Sequence, residues 1–339
     1  MVTACSQRTF KTQGRHQYGS CHLTMATSKY DCQRAIAGMI FANQTASSID
    51  NYFYGSINCC ASLIFWLNNA AYLTVNLKIR TADQSLQLLA TVNVLFDMTQ
   101  LISHFYSGIV LISKEGRGPE YVDKAFGAFL SSSWIQTTVN IMHLMALRLF
   151  IVLSPTSFKR MYKKPNLIII PSIGVFLLVF VSELSPLAAF LFEPASYTWF
   201  FDTDLPLSAL LDFSDVVLIV MYLTVSLISY LIIARKLLTR AGGRRETILT
   251  IQNSIYCLYT SCVFVFWVLI DPIVVSTPPA LFVSNFLWLV WNGLTPMLEI
   301  IFNKRVRKGY SQLFSRNNNS VMVRAIGGIT KPFSILVAT

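Results

Sequence analysis

The sequence predicts an all-α integral membrane protein, a bundle of seven bilayer-crossing helices, and three observations carry that prediction. The first is composition. The 339 residues are 54% hydrophobic and only 13% charged, with a mean hydropathy of +0.53. A soluble domain carries about 25% charged residues. The second is run length. A hydrocarbon core about 30 Å thick takes roughly 20 apolar residues of helix to cross. Seven runs qualify, covering about 52–77, 84–112, 125–153, 166–192, 207–233, 247–273 and 279–302. In lipid the backbone must satisfy its own polar groups, and these runs are too long and continuous for barrel strands, so they are helices.

The third observation is where the basic residues fall. Lys and Arg number two in 78–83, four in 154–165, five in 234–246 and five in 303–316. The intervening loops, 113–124, 193–206 and 272–279, hold three, none and none. Short basic loops stay cytoplasmic, which predicts the N-terminus outside and the C-terminus inside. The net charge of +11 is therefore a topology signal, and nucleic acid is not an expected partner.

Along the chain, residues 1–50 are polar and aperiodic and are expected to form a disordered external tail. Asn43-Gln44-Thr45 in that tail is a glycosylation acceptor. No signal peptide is visible, since the apolar stretch 35–41 falls short of a typical hydrophobic core. The bundle is expected over 51–303 and a cytoplasmic segment over 304–339. There Val306, Tyr310, Leu313 and Phe314 share one helical face, away from Lys304, Arg305 and Lys308. This predicts an amphipathic helix on the inner membrane surface, with a solvated basic tail as the alternative. Of the seven cysteines, none lies in the three loops placed outside, so no disulfide between those loops is expected. Cys59, Cys60, Cys257 and Cys262 read as packing residues within apolar runs.

Ionisable groups inside a membrane are costly and mark function. Asp97, His104, His143, Arg148, Glu183, Asp212, Asp215 and Glu299 all fall within apolar runs. Several stand at informative spacings. Arg148 is followed after seven residues by Pro155 at the end of the third helix. Asn292-Gly293-Leu294-Thr295-Pro296-Met297-Leu298-Glu299 and the trailing Asn303 close the seventh. Tyr230, Ile233 and Leu237 lie at the end of the fifth, and Asn69 and Asp97 stand 28 apart in the first and second.

Taken in order, these residues resemble the inner-face motifs of rhodopsin-like G-protein-coupled receptors over residues 52–314. Departures accompany the matches: Leu147 and Leu149 flank the Arg, Thr295 and Glu299 replace an Asn and a Tyr, and Asp123 occupies the helix-three Cys position. Eroded motifs with a retained Arg and helix-seven Pro resemble the nematode serpentine chemoreceptor families.

The resemblance implies a chemosensory receptor at the plasma membrane, in a sensory cilium in one version, that takes a small molecule and activates a heterotrimeric G protein without cofactor or enzymatic activity. It implies a coupling and switching set of Arg148, Pro155, Tyr230, Glu246, Pro296, Glu299 and Asn303. Arg148 is expected either to pair with Glu246, holding the inner face closed, or to contact lipid phosphate. Asn69, Asp97, Asn292 and Thr295 are expected to form an intramembrane polar cluster, which binds sodium in many such receptors; a neutral, hydrogen-bonded Asp97 is the alternative.

The implied ligand pocket is formed by Leu130, Ser131, Trp134, Asp212, Asp215 and Phe286. No Lys lies in the seventh helix to hold retinal, and Leu130 stands where amine receptors carry their Asp, so a small, largely apolar odorant is expected. A seven-helix facilitator is the alternative function. It should repeat its first three helices in its last three, and no such repeat is visible. A membrane enzyme lacks support, with no hydrolase or protease motif and only two intramembrane His residues, too few for a metal cluster.

Overall fold

The computed structural model describes residues 48–78, 84–113, 118–153, 166–239, 244–267 and 278–315. Residues 1–47 of the tail expected to be disordered, Asn43 among them, and Pro155 lie outside them, whereas Ser48, Ile49 and Asp50, assigned to that tail, instead form the first turn of the first helix. The described residues form seven long helices: α1 (Ser48–Lys78), α2 (Gln84–Ser113), α3 (Glu120–Leu153), α4 (Asn166–Leu184), α5 (Pro206–Thr239), α6 (Arg244–Val265) and α7 (Pro278–Phe302). A short α8 (Lys304–Phe314) follows, and β1 (Phe190–Glu193) and β2 (Thr198–Phe201) form an antiparallel hairpin between α4 and α5.

The bundle is apolar on the outside and mixed within. Leu178, Val181, Phe213, Leu227 and Leu231 on α4 and α5 are exposed, as helices facing lipid require. Asn58, Ser62, Asn69, Gln100, Gln136 and Asn140 are buried. Three helices, α2, α5 and α7, are by composition apolar enough to span a membrane. Polar residues lower the average hydropathy of α1 and α3, and many of them, such as Asn58, Ser62, Asn69, Gln136 and Asn140, are buried within the bundle. Residues 130–138 of α3 are buried without interruption, which makes α3 the centre of the bundle.

Helix four differs from its expected span of 166–192. It stops at Leu184, where Ser185 and Pro186 follow and Ser185 Oγ bonds back to the Ser182 carbonyl (2.6 Å). A Pro supplies no N–H and disfavours helix for the residue before it. The apolar run continues as β1, with Phe190 and Phe192 buried and Leu191 and Glu193 only partly so. Gly127 of α3 is needed for this: a side-chain carbon there would overlap the Phe190 carbonyl.

At the opposite end Asn303 separates α7 from α8 and caps the latter, its Oδ1 accepting from Arg305 N (3.0 Å) and Val306 N (3.5 Å). Arg307 donates to the last carbonyls of α7, at Ile300 (3.1 Å) and Ile301. The amphipathic helix is present as the sequence predicts. Val306, Tyr310 and Leu313 pack on Tyr72, Val75, Val94 and Met98. Phe314, assigned to the same face, lies beside the Tyr310 ring (6.2 Å) and is exposed.

Candidate functional site

Trp134 organises the middle of the bundle. Its ring meets Trp291 at 4.5 Å, Trp288 at 5.2 Å, and Phe264 and Trp267 at 5.5 Å each, mostly edge to face. Its indole N–H donates to Asp215 Oδ1 of α5 (2.6 Å). Trp288 N–H is taken by Gln100 Oε1 of α2 (2.8 Å), while Gln100 Nε2 reaches Thr137 Oγ1 (3.3 Å). One aromatic block thereby links α2, α3, α5, α6 and α7.

The residues expected to line one pocket are divided. Ser131, Trp134 and Asp215 come together, with Asp212 one turn further along α5. Leu130 lies elsewhere: it is fully buried in a second cluster with Val110, Leu111, Phe282 and the hairpin residues Phe190, Phe192, Tyr197 and Trp199. Phe286 packs against that cluster rather than facing Asp212. The separation has a simple cause: the chain between α4 and α5 forms a hairpin whose aromatic side chains pack over Leu130.

The hairpin is fastened on several sides. Asp202 N donates to Ala189 O (2.9 Å), and Ala189 N to Ser208 Oγ (2.8 Å). The Tyr197 hydroxyl donates to Asn51 Oδ1 of α1 (2.6 Å). Burial, with the Asp50 carboxylate and Tyr54 nearby, pushes that hydroxyl up to about 12. Asp123, at the helix-three Cys position, accepts from the Tyr106 hydroxyl, and the Tyr106 ring stacks on Phe126 at 4.2 Å, tying α2 to α3.

Glu183, in the last turn of α4, was not assigned to the pocket by its sequence. Its side chain is fully buried, and neither carboxylate oxygen has a partner at hydrogen-bond distance. The Ser131 hydroxyl and the Asp215 carboxylate are its polar surroundings. His104, Trp288 and Gln100 were equally unassigned. The available signal was a polar or ionisable residue within an apolar run, which marks the position but not its neighbours.

The intramembrane polar cluster assembles only in part. Pro296 has no N–H, so the Asn292 carbonyl four residues earlier lacks its helical donor. Asn69 Nδ2 of α1 takes that place (3.0 Å) and also reaches Phe65 O (3.0 Å). Asp97 is buried, but its polar neighbour is the Thr137 hydroxyl of α3 rather than Asn69 or Asn292. Thr295 lies beside Tyr256 of α6.

Of the coupling set, Tyr230 packs against the central core, and Pro296 lies within α7. Arg148 belongs to α3 and Glu246 to α6, but their side chains lie outside the described residues, as do Pro155 and the Leu237 side chain. Glu299 has both carboxylate oxygens engaged. Oε1 accepts from Gln252 Nε2 of α6 (2.8 Å), and Oε2 from Asn303 Nδ2 (2.9 Å). Asn303 caps α8, so α6, α7 and α8 meet at this one carboxylate. Gln252 was not singled out in the sequence.

No curated protein matches the chain. Residues 15–322 match the family described as serpentine type 7TM GPCR chemoreceptor Srt. The buried polar core, the lipid-facing exterior and this match agree: the chain is a multi-pass membrane protein of a receptor class, and it belongs to the Srt family of serpentine chemoreceptors.

Proposed function

We propose that this chain is a G-protein-coupled chemosensory receptor of the plasma membrane, with the hairpin end outside and the α8 end in the cytoplasm. A small, largely apolar ligand occupies the region around Trp134, and a heterotrimeric G protein engages the end where α3, α6, α7 and α8 terminate. The observation that carries this reading is the aromatic block on Trp134, which joins helices α2, α3, α5, α6 and α7. A ligand that displaces one ring shifts several helices together, and a packed core responds by switching between arrangements rather than by deforming smoothly.

The test is calcium or cyclic-nucleotide imaging in cells that express the chain, screened against volatile and water-soluble small molecules. Arg148→Ala is expected to abolish the response while leaving surface expression largely intact, because it removes a group at the cytoplasmic end of α3. A variant that signals normally removes the coupling assignment.

A further inference from the structure

The apolar-ligand reading leaves a buried feature unused. Glu183 on α4, Asp215 on α5 and Ser131 on α3 approach one another beside Trp134. Glu183 is 0% exposed and Ser131 1%, and neither the carboxylate oxygens nor the Ser131 hydroxyl has a partner at hydrogen-bond distance. Asp215 gives one oxygen to the Trp134 indole (2.6 Å). Among the described residues no basic side chain acts on either carboxylate. Lys124, two turns from Ser131 along α3, donates to the Ser185 carbonyl (2.6 Å). A fully buried carboxyl beside a partly buried one is costly to ionise without a cation, and a cation held between them favours the ionised pair.

The approach to this region has the same sign. Glu193, Asp202 and Asp204 lie in and after the hairpin, and no Lys or Arg occurs from 193 to 206. Asp212 stands one turn from Asp215 on the same inward face as Ile219 and Tyr222, both buried in the central core. Acidic residues leading to acidic residues concentrate cations. The aromatic rings of the Trp134 block offer an ammonium a second kind of attraction, through their faces.

We propose that Glu183, Asp215 and Ser131 bind the protonated amine of a small alkyl or arylalkyl ligand, with Trp134 forming the wall against its apolar body. This rests on the receptor reading and makes it specific: the body of the ligand is apolar and its head is an ammonium. The anchoring carboxylates come from α4 and α5, so Leu130 on α3 is no obstacle to an amine.

The test uses the purified full-length protein in detergent and follows thermal unfolding with primary alkyl and arylalkyl ammonium ions and with alcohols of the same carbon skeletons. At about 1 mM, ammonium ions are expected to raise Tm and the matched alcohols to leave it unchanged. Glu183→Gln and Asp215→Asn should each weaken ammonium binding by about 30-fold or more. If no ammonium ion stabilises the wild-type protein beyond its alcohol, the site is overturned, and that comparison needs no variant to fold. Unchanged ammonium affinity in a folded Glu183→Gln protein overturns it equally.

A signalling arm separates this proposal from the reading beneath it. Carboxylate-dependent ammonium binding without any G-protein response leaves the site standing and removes the receptor function. A response to neutral odorants that Glu183→Gln does not alter leaves the receptor standing and removes the site.

Discussion

The two ends of the bundle are held together by different chemistry. At the hairpin end Phe190, Phe192, Tyr197 and Trp199 pack over Leu130, and their stabilisation scales with apolar area. At the α8 end the apolar packing of Val306, Tyr310 and Leu313 is joined by directional polar bonds: Gln252 and Asn303 share the Glu299 carboxylate, and Tyr310 donates to Asn68 at both its backbone (3.0 Å) and its side-chain oxygen (3.2 Å). Burial of apolar area is non-directional and yields gradually, whereas a few directional bonds are either made or broken. In the proposed receptor function, where an event at one end is reported to the other, the first arrangement suits a lid and the second suits a switch.

The comparison breaks most readily at the lid. Gly127→Val places carbon where the Phe190 carbonyl now lies, and relief requires the backbone of β1 to move. Overpacking of this kind costs up to about 3 kcal/mol. The expected result is a large fall in Tm in detergent and in surface expression. A variant as stable as wild type would mean that the hairpin adds little to the fold.

The contrast between the ends also explains what could be read in advance. Bilayer thickness sets a minimum length for each apolar run, so the helices announce themselves, and the 3.6-residue spacing of Val306, Tyr310 and Leu313 does the same for α8. The hairpin was hidden because Phe190–Phe192 prolongs the apolar run of α4; only Ser185-Pro186 marked the break. At the α8 end, Pro296, Glu299 and Asn303 stood out by spacing, but the partner Gln252 did not. Spacing along one helix identifies a face. Which residue of another helix meets that face depends on crossing geometry, which a single sequence does not encode legibly. The same gap separated Glu183 from Ser131 and Asp215.

The polar joint gives the next effect. Gln252→Leu removes a hydrogen bond to a carboxylate, worth about 1.5 to 3 kcal/mol, and leaves Glu299 with Asn303 alone. If the joint restrains α6 in the resting arrangement, loss of about 1.4 kcal/mol shifts the equilibrium about tenfold. Ligand-independent signalling should rise while surface expression stays near wild type. Glu299→Gln, which keeps hydrogen-bonding capacity while removing the charge, should raise it less. Unchanged basal signalling in both variants, in cells where the wild type responds to agonist, assigns the restraint to another contact, with Arg148 and Glu246 next to examine.

The smallest effect sharpens the comparison, because it tests the side-chain hydrogen bond that ties the apolar lid to α1. Tyr197 adopts a left-handed backbone (φ 54°) in the hairpin turn, and its hydroxyl donates to Asn51 across the mouth of α1. Tyr197→Phe keeps the ring and the turn while removing the hydroxyl, so it isolates one hydrogen bond, worth about 1 kcal/mol. A slight drop in Tm is expected, with ligand response retained. The pH dependence follows from the hydroxyl being pushed up to about 12, above the value of about 10 for an unfolded tyrosine. The folded protein therefore holds this proton more tightly than the unfolded chain. Its contribution is complete below about pH 10 and declines as pH rises toward 12. The Tm difference between wild type and Tyr197→Phe should stay constant from neutral pH to about 9 and shrink above about 10. If the difference already varies near neutral pH, another titrating group controls the lid, and the tie to Asn51 is incidental to it.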